Sequence, residues 1–339
     1  MVEAENTLPF LEDDIRPDAL MVGQQQRTLN DAKLLLQYEH QFVEIACPAC
    51  GSRKETKNFK KFGLRYVSCS MCRTIYVTPR PRPDHLAEYY VKSEDWAYWS
   101  KHVFPASEKA RREKIFIPRV NALLEMCKRF STATRTIAEV GAGFGIFCEE
   151  IKKARVFNRI LAIEPSPDLA RSCRDRGIET LEQPFENVVI EDGSLDVLAC
   201  FEVIEHLYDP QAFLKKGNAL LSPGGLLVIS CPNAAGFEAV VLGEKWGAIE
   251  LGHLNLFNLD SLSTLLQVSG FKVIQQTTPG RLDAELVRKE VLDGAFDLAD
   301  QPFLKQILIE KWQETGAAFQ YFLSENLLSS HMLFAAQKL

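Results

Sequence analysis

The sequence predicts an α/β fold in which a doubly wound, mainly parallel sheet lies between layers of helices. From Ser131 onward, short apolar runs alternate with helical stretches. The first run, 136–140, leads directly into the glycine-rich segment 141–145, and helix-compatible sequence follows it. The chain has 339 residues, of which 46% are hydrophobic and 25% charged. This composition supports a large buried core and excludes collagen-like and disordered classes.

Three segments precede the α/β region. Residues 1–40 predict a helical arm, because leucine and alanine recur at helical spacing within this segment. Residues 41–80 predict a small module with short strands at 42–45, 65–68 and 74–77. Prolines between positions 79 and 83 separate this module from residues 81–130, an aromatic-rich linker followed by a capping helix at 107–130.

The α/β region itself is assigned to residues 131–280. Its predicted strands are 136–140, 160–164, 178–181, 195–201, 226–230 and 271–276. Residues 281–330 are mostly helical in pattern and are too long for a hairpin connection, so we expect a helical insertion there. Residues 331–339 then supply the last strand, with its core at 332–336.

Four cysteines in the front module form two Cys-x2-Cys pairs, Cys47 with Cys50 and Cys69 with Cys72. Each pair brings two sulfurs to one side of a tight turn, and two such turns complete a tetrahedron. The spacing predicts one structural zinc ion with no open ligand position and therefore a zinc ribbon at 41–80. The segment between the pairs is predicted to be a basic loop, which is either a solvated face of the ribbon or a phosphate contact.

Charge and cysteine usage narrow the functional classes. The formal net charge is −6, which argues against general attraction to nucleic acid or to an anionic membrane. We find no apolar run near the ~18 residues that a membrane helix needs and no signal peptide. We therefore expect a soluble, cytoplasmic protein whose nine cysteines are metal ligands or core residues.

Two acidic residues flank the glycine-rich segment and indicate what it binds. Glu164 ends the second predicted strand, where a carboxylate can accept hydrogen bonds from ribose hydroxyls. Glu139 precedes Gly141 by two positions, where its charge would repel a dinucleotide pyrophosphate but attract an amino group and a sulfonium. A nucleoside ligand that carries an amino group and a sulfonium is therefore favoured over a dinucleotide.

Several motifs together resemble the class I S-adenosylmethionine-dependent methyltransferases, in particular the bacterial branch of ubiquinone-biosynthesis O-methyltransferases and deoxysugar methyltransferases. The motifs are residues 139–145, 164–166, 196–198, 201–207, 223–225 and 232–233. The zinc module in front also resembles that of sugar C-methyltransferases. At the position of their Glu-His pair this chain has Gly252 before His253, so the carboxylate of the pair is absent.

The resemblance implies a Rossmann-like, seven-stranded sheet and S-adenosyl-L-methionine as cofactor. It also implies which residues contact the cofactor. The methionine part would lie against Gly141, Ala142 and Gly143, the ribose would bind Glu164, and the adenine would pack on Phe185. Glu139 and Glu202 would lie at the border of the site. A core role for Phe185 is a competing interpretation.

Two histidines fall where an acceptor could bind, and either suits a general base because an ordinary imidazole titrates near neutral pH. His206 follows the fourth strand beside Glu205, and His253 follows the fifth. Glu205 can orient His206 or face water. We expect His253 to be the base when the acceptor must lose a proton, since the resemblance places its loop over the acceptor.

Three functional hypotheses remain open. The first is a methyltransferase acting on a small molecule, such as a sugar or nucleotide sugar. The second is a ribosomal-RNA methyltransferase that uses the ribbon to bind RNA, and the third is a cofactor-binding scaffold without catalysis. Residues 182–210 contain no Lys or Arg, which favours the first hypothesis over the second. Their eight acidic residues are Glu182, Glu186, Glu191, Asp192, Asp196, Glu202, Glu205 and Asp209.

Overall fold

A computed structural model describes residues 10–339, so the first nine positions of the predicted helical arm lie outside the described residues. Within the described part, seven strands form one sheet. The strands are β4 (Thr136–Val140), β5 (Arg159–Ile163), β6 (Glu179–Leu181), β7 (Leu195–Phe201), β8 (Leu221–Pro232), β10 (Phe271–Thr277) and β11 (His331–Lys338). Their order across the sheet is β10-β11-β8-β7-β4-β5-β6. The predicted seven-stranded α/β sheet is confirmed.

The direction of these strands is that of a doubly wound sheet with one reversed strand. β4 to β8 pair in parallel, whereas β11 runs antiparallel to both β8 and β10. β4 lies between β5 and β7. The strands that follow β4 are therefore added first on one side of it, as β5 and β6, and then on the other side, as β7 and β8. Ligands bind at such a switch point, beyond the carboxyl ends of the strands.

Helices cover the sheet and extend before and after it. Those in front of the sheet are α1 (Asp18–Met21), α2 (Gln24–Leu36), α3 (Pro83–Lys92), α4 (Glu94–Tyr98), α5 (Phe104–Arg111) and α6 (Ile117–Arg129). Between the strands lie α7 (Ile146–Ala154), α8 (Pro167–Asp175), α9 (Pro210–Leu220), α10 (Phe237–Leu242) and α11 (Leu259–Val268). The segment between β10 and β11 contains α12 (Asp283–Leu292), α13 (Pro302–Lys305) and α14 (Trp312–Glu325).

The predicted helix at 107–130 is not one continuous α-helix. A wider π turn, Arg112–Phe116, separates α5 from α6. Pro118 lies in the first turn of α6 and has no N–H to donate to the turn before it, which accounts for a change of hydrogen-bond register at this point.

The front module contains the antiparallel strands β1 (Glu55–Lys61), β2 (Leu64–Cys69) and β3 (Ile75–Val77). The prediction of a strand at 42–45 is wrong, because this segment makes only a single bridge, from Val43 to Arg80. The predicted basic loop is also wrong in part, since β1 occupies most of it. β1 is an edge strand, and lysines that face solvent from an edge strand discourage pairing with other chains.

A fourth strand completes this small sheet and comes from the α/β region. This strand, β9 (Asn255–Leu256), pairs antiparallel with β3, about 180 residues earlier in the chain. The two parts of the chain therefore share one sheet as well as an apolar core. That core contains Leu64 and Tyr66 of β2, Trp246 and Leu254 from the segment before β9, and Val287 of α12.

Among the described residues, no helix is both long and apolar enough to cross a membrane.

Candidate active site

The glycine-rich loop after β4 has a backbone that only glycine tolerates easily. Gly141 has a φ of +70°, and a Cβ there would lie 2.5 Å from a methyl carbon of Val203. Its N–H donates to the carbonyl of Ile163 at 2.9 Å, which ties the loop to β5. Gly143 also has a positive φ, +54°, but among the described residues other than its two chain neighbours, no heavy atom lies within 4 Å of the point that a Cβ would occupy there. The loop is thus tight at Gly141 and leaves open space at Gly143, where a ligand can approach the backbone.

Glu164 lies directly after β5 and holds this loop in place. One carboxylate oxygen accepts a hydrogen bond from the Gly143 N–H at 2.8 Å, and the other accepts one from the Ser166 N–H at 2.9 Å. The residue is 5% exposed, and this burial raises its pKa. Each oxygen has a further lone pair, so the fixed carboxylate can still accept from two ribose hydroxyls.

Glu139 lies beneath the same loop as a buried acid. The thiol of Cys148 donates to it at 3.1 Å. Burial raises the pKa of Glu139 to about 8, although Arg119 acts in the opposite direction. At pH 7 this carboxyl is therefore mostly protonated, and a cationic ligand would favour its ionised form.

Arg119, on α6, is a site residue that sequence reasoning missed. Its guanidinium lies 4.4 Å from the centre of the Phe201 ring and 3.7 Å from a carboxylate oxygen of Glu202. The charge of Arg119 also lowers the pKa of Glu139, against the effect of burial. Arg119 therefore supplies a cation at the otherwise acidic edge of the sheet. One arginine within a helical pattern gives no local signal for this role.

Glu202, at the carboxyl end of β7, has a φ of +55°, which is unusual for a residue with a side chain. Its carboxylate accepts hydrogen bonds from the Ser230 hydroxyl at 2.5 Å and from Nε2 of His331 at 2.8 Å. Burial opposes its ionisation, but the charges of His331 and Arg119 outweigh it and hold the pKa of Glu202 below its usual range. His331, the first residue of β11, was also missed, because only the reversed last strand brings it to this edge.

Phe185 lies in the core beside the site. It is 4% exposed, and its ring centre lies 4.7 Å from that of Phe213. Its contact with an adenine remains a prediction. Ala142 is likewise buried, at 7% exposed, so its contribution to a ligand would come from its backbone.

The three predicted catalytic residues lie together. The rings of His206 and His253 are 4.6 Å apart, centre to centre, and ligating atoms of Glu205, His206 and His253 all lie within 4.8 Å of one another. Glu205 is 1% exposed, and neither carboxylate oxygen has a hydrogen-bond partner among the described residues. Burial, followed by the charge of Glu202, raises the pKa of Glu205 well above its usual value. A carboxylate and two imidazoles are also ligand types that a divalent cation accepts.

The two histidines differ in their surroundings. Nδ1 of His206 donates to the carbonyl of Gly252 at 3.0 Å and also lies 3.3 Å from the Tyr90 hydroxyl. Burial, and then the neighbouring His253, lowers the pKa of His206 to about 3, so this ring is neutral at pH 7. Nδ1 of His253 donates to the carbonyl of Ala248 at 2.8 Å, and its Nε2 lies 3.1 Å from a carboxylate oxygen of Glu250. Nε2 of His253 thus lies beside a carboxylate, whereas His206 is enclosed by Tyr90, Gly252 and His253.

The four cysteines of the front module also lie together. Their sulfurs are all within 4.8 Å of one another, with 3.5 Å between Cys47 and Cys72 and 3.6 Å between Cys50 and Cys69. A tetrahedral zinc ion with bonds of roughly 2.3 Å requires sulfurs about 3.8 Å apart, so the grouping fits such an ion. A hydrogen bond between Cys47 and Cys72 is the main factor that lowers the pKa of Cys72 to about 4 and raises the pKa of Cys47, so the thiolate that a metal needs is favoured at one of these two sulfurs.

Comparisons with known proteins indicate the class of this site. A family model described as a methyltransferase domain matches residues 108–276. A ubiquinone biosynthesis O-methyltransferase of Xanthomonas oryzae pv. oryzae is 32% identical over 127 residues, which are 35% of this chain and 52% of that protein. The corresponding enzyme of Xanthomonas campestris pv. campestris is 32% identical over 119 residues, 32% of this chain and 49% of that protein. The chain therefore spans about half the length of the curated relatives it matches.

Solved structures support the fold. A Haloferax volcanii methyltransferase in complex with the Trm112 methyltransferase activator aligns with a TM-score of 0.50 at 15% identity. The alignment covers 71% of this chain and 96% of that one. The identity is low, so this likeness concerns the fold alone.

The cysteine cluster yields a prediction about metal content. We expect one zinc ion per chain, and Cys69→Ser should remove it and unfold the front module, since such a site contributes on the order of 10 kcal/mol to folding. Elemental analysis and thermal unfolding measure this, with Cys127→Ser, a buried cysteine of α6, as the matched control that keeps its zinc. Protein that carries no zinc and melts at the same temperature with and without chelator would contradict the prediction. A second metal that survives in Cys69→Ser would instead belong to the Glu205 grouping.

Proposed function

The chain belongs to the class I S-adenosylmethionine-dependent methyltransferases, and we propose that it methylates a small-molecule acceptor at the carboxyl edge of its seven-stranded sheet. The observation that carries the proposal is the contact between Glu164 and the Gly143 N–H. It places a fixed carboxylate beside an open stretch of glycine backbone, as a nucleoside requires.

The charges around the loop support a consistent orientation of the cofactor. Glu164 would accept from the ribose, and Glu139 would face the cationic methionine part. Arg119 is the nearby cation for the cofactor's carboxylate, within reach of the charges of both Glu139 and Glu202. When bound, S-adenosylmethionine supplies a methyl group on a positively charged sulfur, ready for in-line displacement. The protein's task is then to align the acceptor and exclude water.

His253 is the proposed general base. His206 is neutral at pH 7, and with a pKa of about 3 it is a poor proton acceptor there. His253 can take a proton on Nε2 while Glu250 stabilises the resulting charge. We therefore assign proton removal to His253 and orientation of the pair to His206. Glu205 supplies a buried carboxyl with a raised pKa beside them.

A sugar or nucleotide sugar is the proposed acceptor, in line with the zinc module, the helical insertion and the acidic segment 182–210. The curated relatives named for ubiquinone biosynthesis make a phenolic acceptor a second possibility. RNA is disfavoured, although lysines on β1 form a basic surface. Labelled cofactor incubated with nucleotide-sugar, phenolic and RNA pools distinguishes the three. We also propose a reducing, cytoplasmic environment, since all nine cysteines are free.

Glu164→Ala should weaken cofactor binding at least tenfold. The change removes hydrogen bonds to a charged acceptor, each contributing about 1.5 to 3 kcal/mol, and it releases the Gly143 N–H. Calorimetry with S-adenosylmethionine measures the affinity, and the exposed Glu191→Ala serves as the control. Equal affinity in Glu164→Ala and the parent protein would remove Glu164 from the site.

Binding of the cofactor at pH 7 should release a proton from Glu139. Its pKa is about 8 in the free protein, so it is mostly protonated, and the arriving positive charge favours ionisation. Affinity should therefore rise with pH up to about 8. Calorimetry in two buffers of different ionisation enthalpy measures the number of protons released when the cofactor binds. Glu139→Gln should release close to one proton fewer than the parent protein. The same count in both proteins would exclude this role.

His253→Ala should lower turnover by about 10²- to 10⁴-fold if the acceptor loses a proton, while cofactor affinity stays within twofold. The pH–rate profile of the parent should have an acidic limb that the variant lacks, because the base must be unprotonated. His40→Ala, a change at an exposed histidine, is the control. Full activity of His253→Ala with an unchanged profile would mean that positioning alone carries the catalysis.

A further inference from the structure

The segment that carries His253 is held by the zinc module as well as by the segments that follow β7 and β8 of the large sheet. We name residues 246–258 the His253 loop. Two of its residues form β9, where Asn255 pairs with Tyr76 and Leu256 with Ile75 of β3. The Val77 N–H also donates to the carbonyl of Leu254 at 3.0 Å, so the pairing continues beyond the two-residue strand.

Side chains of the front module reach the rest of the His253 loop. The hydroxyl of Tyr66, on β2, donates to the carbonyl of Glu250 at 2.8 Å, three positions before His253. Lys61, at the end of β1, donates to the carbonyl of Trp246 at 3.0 Å. At the other end of the loop, the Asn258 side chain donates to the carbonyl of Cys72 at 2.8 Å. The loop is thus tied at both ends and in the middle, once directly to a cysteine of the cluster.

Arg80 links the front module to both histidine-bearing segments. It is fully buried and donates to the carbonyls of Val77, Tyr208 and Leu254 and to the side-chain oxygen of Asn255. Asn255 in turn donates to the carbonyl of Leu207 at 2.8 Å, next to His206. Four of the five N–H donors of this buried guanidinium thus have a carbonyl-type acceptor, and its planar geometry fixes the relative position of the groups it joins.

Apolar packing acts in the same direction. Trp246 and Leu254 of the His253 loop are 2% and 0% exposed, and they share a core with Leu64 and Tyr66 of β2. The loop itself supplies little regular structure, since β9 has only two residues. Its order therefore depends on the module that covers it.

We propose that the zinc module is an internal scaffold that sets the position of His253 and His206, with Tyr66, Arg80 and Asn255 as positioning residues. Its apolar and polar contacts face inward to the catalytic loop, so the module serves catalysis rather than capture of RNA or another partner. The consequence for catalysis rests on the proposed function, whereas the ordering of the His253 loop does not.

Tyr66→Phe tests the scaffold with minimal disturbance, because it removes one hydroxyl and keeps the ring in the core. Tyr76→Phe is the matched control, since the Tyr76 hydroxyl donates to no carbonyl of the His253 loop within residues 10–339. Hydrogen–deuterium exchange should become about fivefold or more faster at residues 246–258 in Tyr66→Phe, and should be unchanged there in Tyr76→Phe. Arg80→Lys retains the positive charge but loses the planar set of N–H donors. In this variant exchange should accelerate more than in Tyr66→Phe, and the faster exchange should extend to residues 204–208.

Kinetics of the same variants test positioning. In Tyr66→Phe we expect kcat to fall about five- to tenfold, KM and affinity for S-adenosylmethionine to stay within twofold, and the zinc content to remain one per chain. Unchanged exchange in both Tyr66→Phe and Arg80→Lys would overturn the scaffold, and faster exchange with unchanged kcat would overturn the positioning role. A parent protein without methyl transfer to any acceptor would refute the proposed function, and the exchange result would still decide the scaffold.

Discussion

A short strand pairing between distant parts of the chain determines how the molecule is assembled. β9 adds two residues of the α/β region to the three strands of the front module, and the buried Arg80 fixes that junction. Because hydrogen bonds of the buried junction are expensive to leave unmade, the module and the His253 loop can be expected to order together. The front module and the α/β region thus form one connected unit rather than two separately attached parts.

The other constraint is electrostatic. Two buried acids, Glu139 and Glu164, lie under the glycine-rich loop, and burial raises the pKa of both. A site of this kind is costly to ionise when empty and becomes favourable when a cation arrives. Arg119 adds the opposite charge at the same edge, so the site suits a zwitterionic sulfonium ligand better than a pyrophosphate.

Local patterns in the sequence predict most of the sheet, the glycine-rich loop and the cysteine cluster. Buried parallel strands such as β7 are continuous apolar runs, and two Cys-x2-Cys pairs at this separation are typical of structural zinc sites. The exposed lysines of β1 mask its strand pattern, so the segment resembles a loop in sequence. β9, Arg119 and His331 could not be found in the same way. Each acquires its role from a partner more than 80 residues away: β3 for β9, and Glu202 for both Arg119 and His331.

A crystal structure of the protein with S-adenosylhomocysteine would test the central claim most directly, because it shows both where the nucleoside lies and which loop faces its sulfur. We expect ribose hydroxyls within about 3 Å of the Glu164 carboxylate. We also expect the sulfur to face the cleft beside Glu202, with His253 across that cleft, and zinc to lie among the four cysteines. A nucleoside bound away from Glu164, or a sulfur that faces away from the His253 loop, would contradict the claim.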